Sequence, residues 1–300
     1  WDTFRTTHPL YTLVWPDRQR DMMRSLAMMM KTGGWSPMWP MGSGETNCMI
    51  GQHSATVLAD TVVKGLADLD VGNGWTGVLD GMYEVLKKNA DGPATGPDSY
   101  GNRGCIEEYL DKGYCPVESE GYGSVAMTME YAFNDYCLAE LARTMGRSDD
   151  ETRWRGRSEN WKNVWVGDSG FFRARDATGG LPPGNFSPTE WSLGSGAYIE
   201  GNAWQWLWFV PHDEAGLRLT LGGDETFVQR LTLFMENAIE SFEFEFPSNY
   251  FFMGNEPDIH APFLAIRAGR PDLAQRWSRW ILDANFRNTY DGLVGNDDAG

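Results

Sequence analysis

Three hundred residues are enough for one large core or two ordinary domains. With 42 acidic and 25 basic residues the formal charge is -17, which argues against a nucleic-acid partner and leaves a cation and a neutral polar substrate open. No stretch of about 18 apolar residues occurs, so no segment reads as a membrane-spanning helix.

Residues 1–16 read as a polar-aromatic lead-in ending at Pro16. Asp17 then reads as the N-cap of a helix to about Met30, with Met22, Leu26 and Met29 as its apolar face. The Gly-, Pro-, Trp- and Met-rich stretch 32–46 reads as a long loop. Helices follow at about 53–69, with Val57, Ala59, Val62, Val63 and Leu66 mostly inward, and at 75–88. A Gly/Pro/Asn loop at 89–104, a short helix at 106–112 and a loop at 114–123 come next. Ser124 opens the clearest helix, to about Met145, with Val125, Met129, Ala132, Tyr136 and Leu141 near helical spacing. Gly146 ends it, and Ser148-Asp149-Asp150 caps another helix running to about Val166. Residues 167–198 read as a long loop. Helical signal resumes at 202–210, 213–221, 224–240, 258–268 and 271–284.

About ten helices thus alternate with loops, and strand signal is sparse. Paired helices in a ring or stack account for this pattern, and in a ring the loops at 1–5, 32–52, 198–205, 254–260 and 295–300 converge at one end. No internal repeat fixes the order. The 14 Trp, 11 Tyr and 15 Phe suit sugar stacking, although core packing accounts for most of them. Cys48, Cys105, Cys115 and Cys137 lack zinc-ligand spacing; Cys105 and Cys115 lie close enough to pair across a loop, and four free thiols are the alternative.

The chemistry concentrates in a few polar segments. In Gly254-Asn255-Glu256-Pro257-Asp258-Ile259-His260 and Gly295-Asn296-Asp297-Asp298-Ala299-Gly300, carboxylates sit beside glycine in short stretches that helical periodicity does not explain. Glu256 needs a partner if buried, and the adjacent Asp297 and Asp298 need a cation, a shared proton or water between them. Hard oxygen ligands of this kind suit calcium over zinc or copper. Solvated turns are the plain alternative. Glu200 stands close to Trp204 and Trp206, where poor solvation would raise its pKa and suit a proton donor, and a helix-start carboxylate favoured by the dipole is the plain alternative. Asn202 and Gln205 add neutral groups of the kind that read sugar hydroxyls. Glu200 with Asp298 has the ingredients of a glycosidase, one protonating the leaving oxygen and the other activating water. Trp1, Asp2 and Arg5 join a stacking platform to a carboxylate and a guanidinium, for which a satisfied ion pair is the plainer reading. His53 reads as a hydrogen-bonded core histidine, and His212-Asp213 as a helix start with Asp213 as cap.

Taken together, Trp1–Thr6, Tyr198–Gln205, Pro211-His212-Asp213, Gly254–His260 and Gly295–Gly300 resemble the signatures of glycoside hydrolase family 92, calcium-dependent, exo-acting, inverting α-mannosidases. The resemblance runs from the first residue to the last. It implies a mainly α fold, an (α/α)6 barrel of which residues 1–300 form part, with an N-terminal β-sandwich domain and the closing end of the barrel outside this sequence. It further implies Glu200 as general acid, Asp298 as general base with Asp297 in support, and Asn255 and Glu256 at a calcium ion. Trp1, Asp2, Asn202, Trp204, Gln205 and His260 fall in segments expected to meet the sugar. Asn296 stands where some members carry a carboxylate. Inversion implies roughly 6.5–9.5 Å between the Glu200 and Asp298 carboxyls. The expected substrate is a mannose-containing oligosaccharide or N-glycan, α-1,2-linked, and the expected location is secreted, periplasmic or cell-surface. Another glycosidase or a polysaccharide lyase on the same toroid, and a non-catalytic glycan-binding protein, are the rival readings.

Overall fold

A computed structural model describes residues 1–42, 44–69, 77–95, 103–119, 123–193, 196–244 and 246–295. The fold is mainly α. The helices are α1 (Thr7–Val14), α2 (Pro16–Gly33), α3 (His53–Val63), α4 (Val78–Asp91), α5 (Ile106–Lys112), α6 (Ser124–Thr144), α7 (Ser148–Ser158), α8 (Ala203–Trp206), α9 (Glu214–Thr220), α10 (Asp224–Glu240), α11 (Ala261–Arg267) and α12 (Pro271–Asn285). Two short antiparallel pairs, Pro40–Met41 with Gly44–Glu45 and Trp165–Val166 with Phe171–Phe172, pin loops rather than form a core sheet.

Consecutive helices pack as pairs. α1, α3 and α6 lie side by side, α2 leans on α1, α3 and α4, α7 runs along α6, and α10, α11 and α12 follow in succession. This is an open toroid of helix pairs. At its edges α1 turns Leu10, Leu13 and Val14 outward, and α11 turns out Phe263 and Ile266. α6 is buried along most of its length, because Ala, Met, Val, Leu and Tyr surround its axis and its acids Glu130 and Asp135 find partners inside, while its last turn reaches the surface.

The helix boundaries expose where local signals mislead. Thr7–Val14 is helical despite reading as lead-in: its one helical turn after Pro9 carries β-branched and aromatic residues, and no side chain caps it. α2 begins at Pro16, a favoured first position, with Asp17 inside the first turn and Trp15 as cap residue. Its buried face is Gln19, Met23, Ala27 and Met30, one residue out of register from the Met22, Leu26, Met29 face, because methionines occupy both stripes. α3 stops at Val63 rather than 69, and α7 gives way at Glu159–Val164 to a 3-10 turn and the strand Trp165–Val166. The expected helix at 202–210 is the single turn α8. α9 and α10 stand almost as read, and Asp213 caps α9 by accepting from Gly216 N at 2.8 Å. Cys105 and Cys115 are disulfide-bonded; Cys48 and Cys137 are free thiols.

Candidate active site

The backbone around Glu200 is fixed by its own neighbours. Asn202 caps α8: its side-chain oxygen accepts from Trp204 N and Gln205 N, while Gln205 Oε1 accepts from Asn202 N at 3.1 Å, a reciprocal capping box. Asn202 Nδ2 donates to Asn249 O, and Gln205 Nε2 donates to Ser248 O and Tyr250 O. Gln205 Oε1 also accepts from Trp191 Nε1. The polar groups of Asn202 and Gln205 are therefore engaged within the chain, which makes them holders of this turn and not free readers of hydroxyls. Trp204 sits in an aromatic core against Phe171, Phe234 and Tyr250, and Trp206 is fully buried with its indole N–H on Ile199 O at 2.8 Å. Neither serves as an open stacking face. Gly201 and Ser192 exchange both backbone hydrogen bonds, so the turn closes against the 182–193 loop. Glu200 itself is half-buried and has φ 46°, in the left-handed region.

Asn255 Nδ2 reaches across to donate to Glu200 O at 2.9 Å, leaving its amide oxygen as acceptor. Glu256, 1% exposed, is one residue on. Its Oε2 accepts from Arg5 Nε at 3.3 Å, and its Oε1 has no hydrogen-bond partner among the described residues. Burial pushes its pKa up to about 8 against the opposing pull of Arg5. Asp258 is likewise raised well above the carboxylate range by burial, with Phe252 N on Oδ2 and no partner on Oδ1. The Gly254 loop lies backbone to backbone on Val294-Gly295, where only glycine fits.

The first residues of the chain complete the cluster. Trp1 and Phe4 are buried, and the Arg5 guanidinium lies 4.9, 4.6 and 5.2 Å from the rings of Trp1, Phe4 and Phe209. Asp2 accepts from Trp39 Nε1 at 2.9 Å, which draws the 32–46 loop to the same place. His260 opens α11, donates through Nε2 to Trp208 O at 2.8 Å, and is held neutral with its pKa lowered to about 4 by burial. His212 donates to Ser158 O, away from this cluster.

Beneath it lies a residue that local patterns did not single out. Glu130 of α6, fully buried, accepts from Trp1 Nε1 at 3.1 Å, pairs with Arg5 Nη2 at 3.5 Å, and meets His53 Nε2 in a short contact. His53 is the core histidine expected, but its acidic partner comes from α6. Asp60, on its own helix, pairs with Lys64. The signal for Glu130 was available: a lone acid inside Val125-Ala126-Met127-Thr128-Met129-Glu130-Tyr131-Ala132, with no local cation.

Asp297 and Asp298, and Asn296 before them, lie outside the described residues. Among the described residues no group of three or more His, Cys, Asp or Glu side chains converges as a metal cluster. Hard oxygen donors are nevertheless present, since Glu256 Oε1 is buried without a partner.

Residues 1–300 match the glycosyl hydrolase family 92 catalytic domain. A secreted glycosidase of Arthroderma benhamiae, itself uncharacterized, is 30% identical over 300 residues, which cover 90% of this chain and 36% of that protein. A family GH92 α-mannosidase of Bacteroides thetaiotaomicron, solved in complex with mannoimidazole, superposes with TM-score 0.83 at 30% identity, covering 100% of this chain and 38% of that one. A family GH92 inverting mannosidase of the same organism gives TM-score 0.84 at 29% identity, covering 100% of this chain and 40% of that one. The chain therefore spans well under half the length of the proteins it matches. By sequence over its whole span, and by fold, this chain belongs to glycoside hydrolase family 92.

Proposed function

We propose that this chain carries the acid and the cation-binding face of an exo-acting α-mannosidase that releases terminal mannose, α-1,2-linked, by calcium-assisted hydrolysis with inversion. The observation that supports it most is the junction of three distant segments. Glu200 is tied to Asn255 at 2.9 Å, and the next residue, Glu256, is tied to Arg5 at 3.3 Å. The Glu200 turn, a carboxylate oxygen with no hydrogen-bond partner among the described residues, and the Arg5 guanidinium on its aromatic rings thereby meet in one place.

In this reading Glu200 gives its proton to the departing glycosidic oxygen, and Asp298, with Asp297 beside it, takes a proton from the water that attacks the opposite face of the sugar. Trp1 and Asp2 line the sugar. Asn202, Trp204, Gln205 and His260 hold the walls from behind. Asn255 through its amide oxygen and Glu256 through Oε1 are the protein ligands of the cation. The fit rests on an orphaned buried oxygen and an all-oxygen donor set. A calcium ion bound there supplies positive charge that orients two sugar hydroxyls. The mannosidases among the neighbours, one of them holding mannoimidazole, support the substrate class, and the secreted relative supports an extracytoplasmic location. A β-sandwich domain of the same protein is the proposed partner.

The test uses the natural-length protein that contains this chain, with α-1,2-mannobiose, in calcium and after chelation. The reading expects calcium-dependent release, β-mannose as first product by NMR, and loss of turnover with retained binding in Glu200→Gln. Folded protein that releases no mannose from any α-linked mannobiose would sink it.

A further inference from the structure

Among the described residues Glu130 is the buried carboxylate that touches both the aromatic Trp1 and the cationic Arg5 of the site, and the protein is built tightly around it. Oε1 takes the Trp1 indole N–H at 3.1 Å and stands 3.5 Å from Arg5 Nη2. Oε2 takes His53 Nε2. That contact fixes the His53 tautomer, because Asn134 Nδ2, 3.3 Å from Nδ1, can only donate there. His53 in turn lies flat on Phe4, with ring centroids 3.6 Å apart and planes 3° apart. A β-carbon on Gly51 would fall 2.2 Å from Glu130 Oε2 and 2.4 Å from His53 Nε2, so the backbone presses directly on the pair. Glu130 is thus held on three sides, by Trp1, Arg5 and His53.

Resting on the mannosidase reading, we propose that Glu130 is the positioning residue of the site. It acts through Trp1 and Arg5, setting the indole that lines the sugar and aiming the guanidinium at Glu256. A structural role alone is the rival account, and α6 supplies its own control. Asp135, equally buried five residues along, binds Arg103 Nη1 at 2.7 Å, Arg157 Nε at 2.8 Å and Tyr109 OH at 3.1 Å, and contacts none of the site residues. It stabilises the same helix without reaching the sugar.

The experiment compares Glu130→Gln, Asp135→Asn, Trp1→Phe and the Glu130→Gln/Trp1→Phe pair in the natural-length protein, by kcat and KM on mannobiose and by urea unfolding. Both α6 variants lower stability. Glu130→Gln is expected to cut kcat/KM at least tenfold, mostly through KM, while Asp135→Asn stays within twofold of wild type. The double variant should lose less than the product of the two single losses, because both act on one bond. Equal effects of Glu130→Gln and Asp135→Asn, or multiplicative losses in the double variant, overturn the proposal. If Glu130→Gln does not fold, His53→Asn carries the same comparison. If the wild-type protein cleaves no mannoside, the functional reading fails on its own. The proposal is then decided by a crystal structure of the α6 variant: displaced Trp1 and Arg5 uphold it, and unmoved ones overturn it.

Discussion

Gly254→Ala probes the join between the two loops that frame the site. A β-carbon there would stand 2.6 Å from Phe252 Cζ, 2.7 Å from Val294 O and 2.8 Å from Gly295 Cα. Two of these three atoms are backbone, so the clash cannot be relieved by turning a side chain. Restoring ordinary contact near 3.5 Å requires one loop to retreat by about 0.5–1 Å. Overpacking of this kind costs about 1–3 kcal/mol. A displacement of about 1 Å at reacting groups costs on the order of 10²-fold in rate. The loop that retreats carries either Asn255 and Glu256 or the lead into Asp297 and Asp298. The expected result is therefore a loss of kcat/KM near 10²-fold alongside a modest drop in urea stability. Gly156→Ala in α7 is the control: nothing lies within 4 Å of its β-carbon, so it should stabilise by about 0.5–1 kcal/mol and leave turnover unchanged. Wild-type turnover in Gly254→Ala would show that the two loops need not touch for catalysis.

Acid sensitivity is the second expectation. Burial lowers His53, His212 and His260 from 6.5 to about 4, so their contribution is present above pH 6.5 and is lost as pH falls towards 4. Each is worth up to roughly 3 kcal/mol over that window, and urea midpoints at pH 7, 5.5 and 4.5 should fall steeply; a flat profile refutes it. Glu256 works the other way, since its raised value makes the fold less stable as pH climbs from 4.5 to about 8 without a cation, and added calcium should stabilise most at the alkaline end. Removing the Cys105–Cys115 bridge with a double serine variant opens a loop of sequence separation 10 and should cost about 2–3 kcal/mol, read from the same urea curves. Asn202→Ala should cost about 1–2 kcal/mol as a lost cap and lower kcat by loosening the turn behind Glu200; an unchanged kcat would detach the cap from the acid's position.

The site's local half was legible in the sequence and its long-range half was not. Gly254-Asn255-Glu256 and the Glu200 turn stand out because glycine, proline and acid lie side by side. Asn202 and Gln205 stand out as well, but the N-cap spacing that binds them to each other is as visible in the sequence as their capacity to bind sugar, and the cap is what they form. Glu130 escaped because its partners are not neighbours: Trp1 is 129 positions away and His53 is 77. A buried carboxyl group of that kind is settled by tertiary packing, which periodicity does not record. The helices divide the same way. α9 carries the Asp213 cap, both α9 and α10 open on acidic first turns, and both read cleanly. α1 has neither, and α2 has two methionine stripes of equal merit.

The left-handed backbone at Glu200 has an implication for engineering. An L-residue at φ 46° carries a penalty of about 1 kcal/mol that glycine would escape. Selection for thermal tolerance alone thus has a cheap step available at the very position proposed to donate the proton. A library screened only for survival at high temperature should accumulate Glu200→Gly, gaining robustness and discarding the acid, whereas one screened for turnover should keep the strained glutamate. The frequency of glycine at residue 200 in the two selections would measure how much stability the protein forgoes to hold that side chain in place.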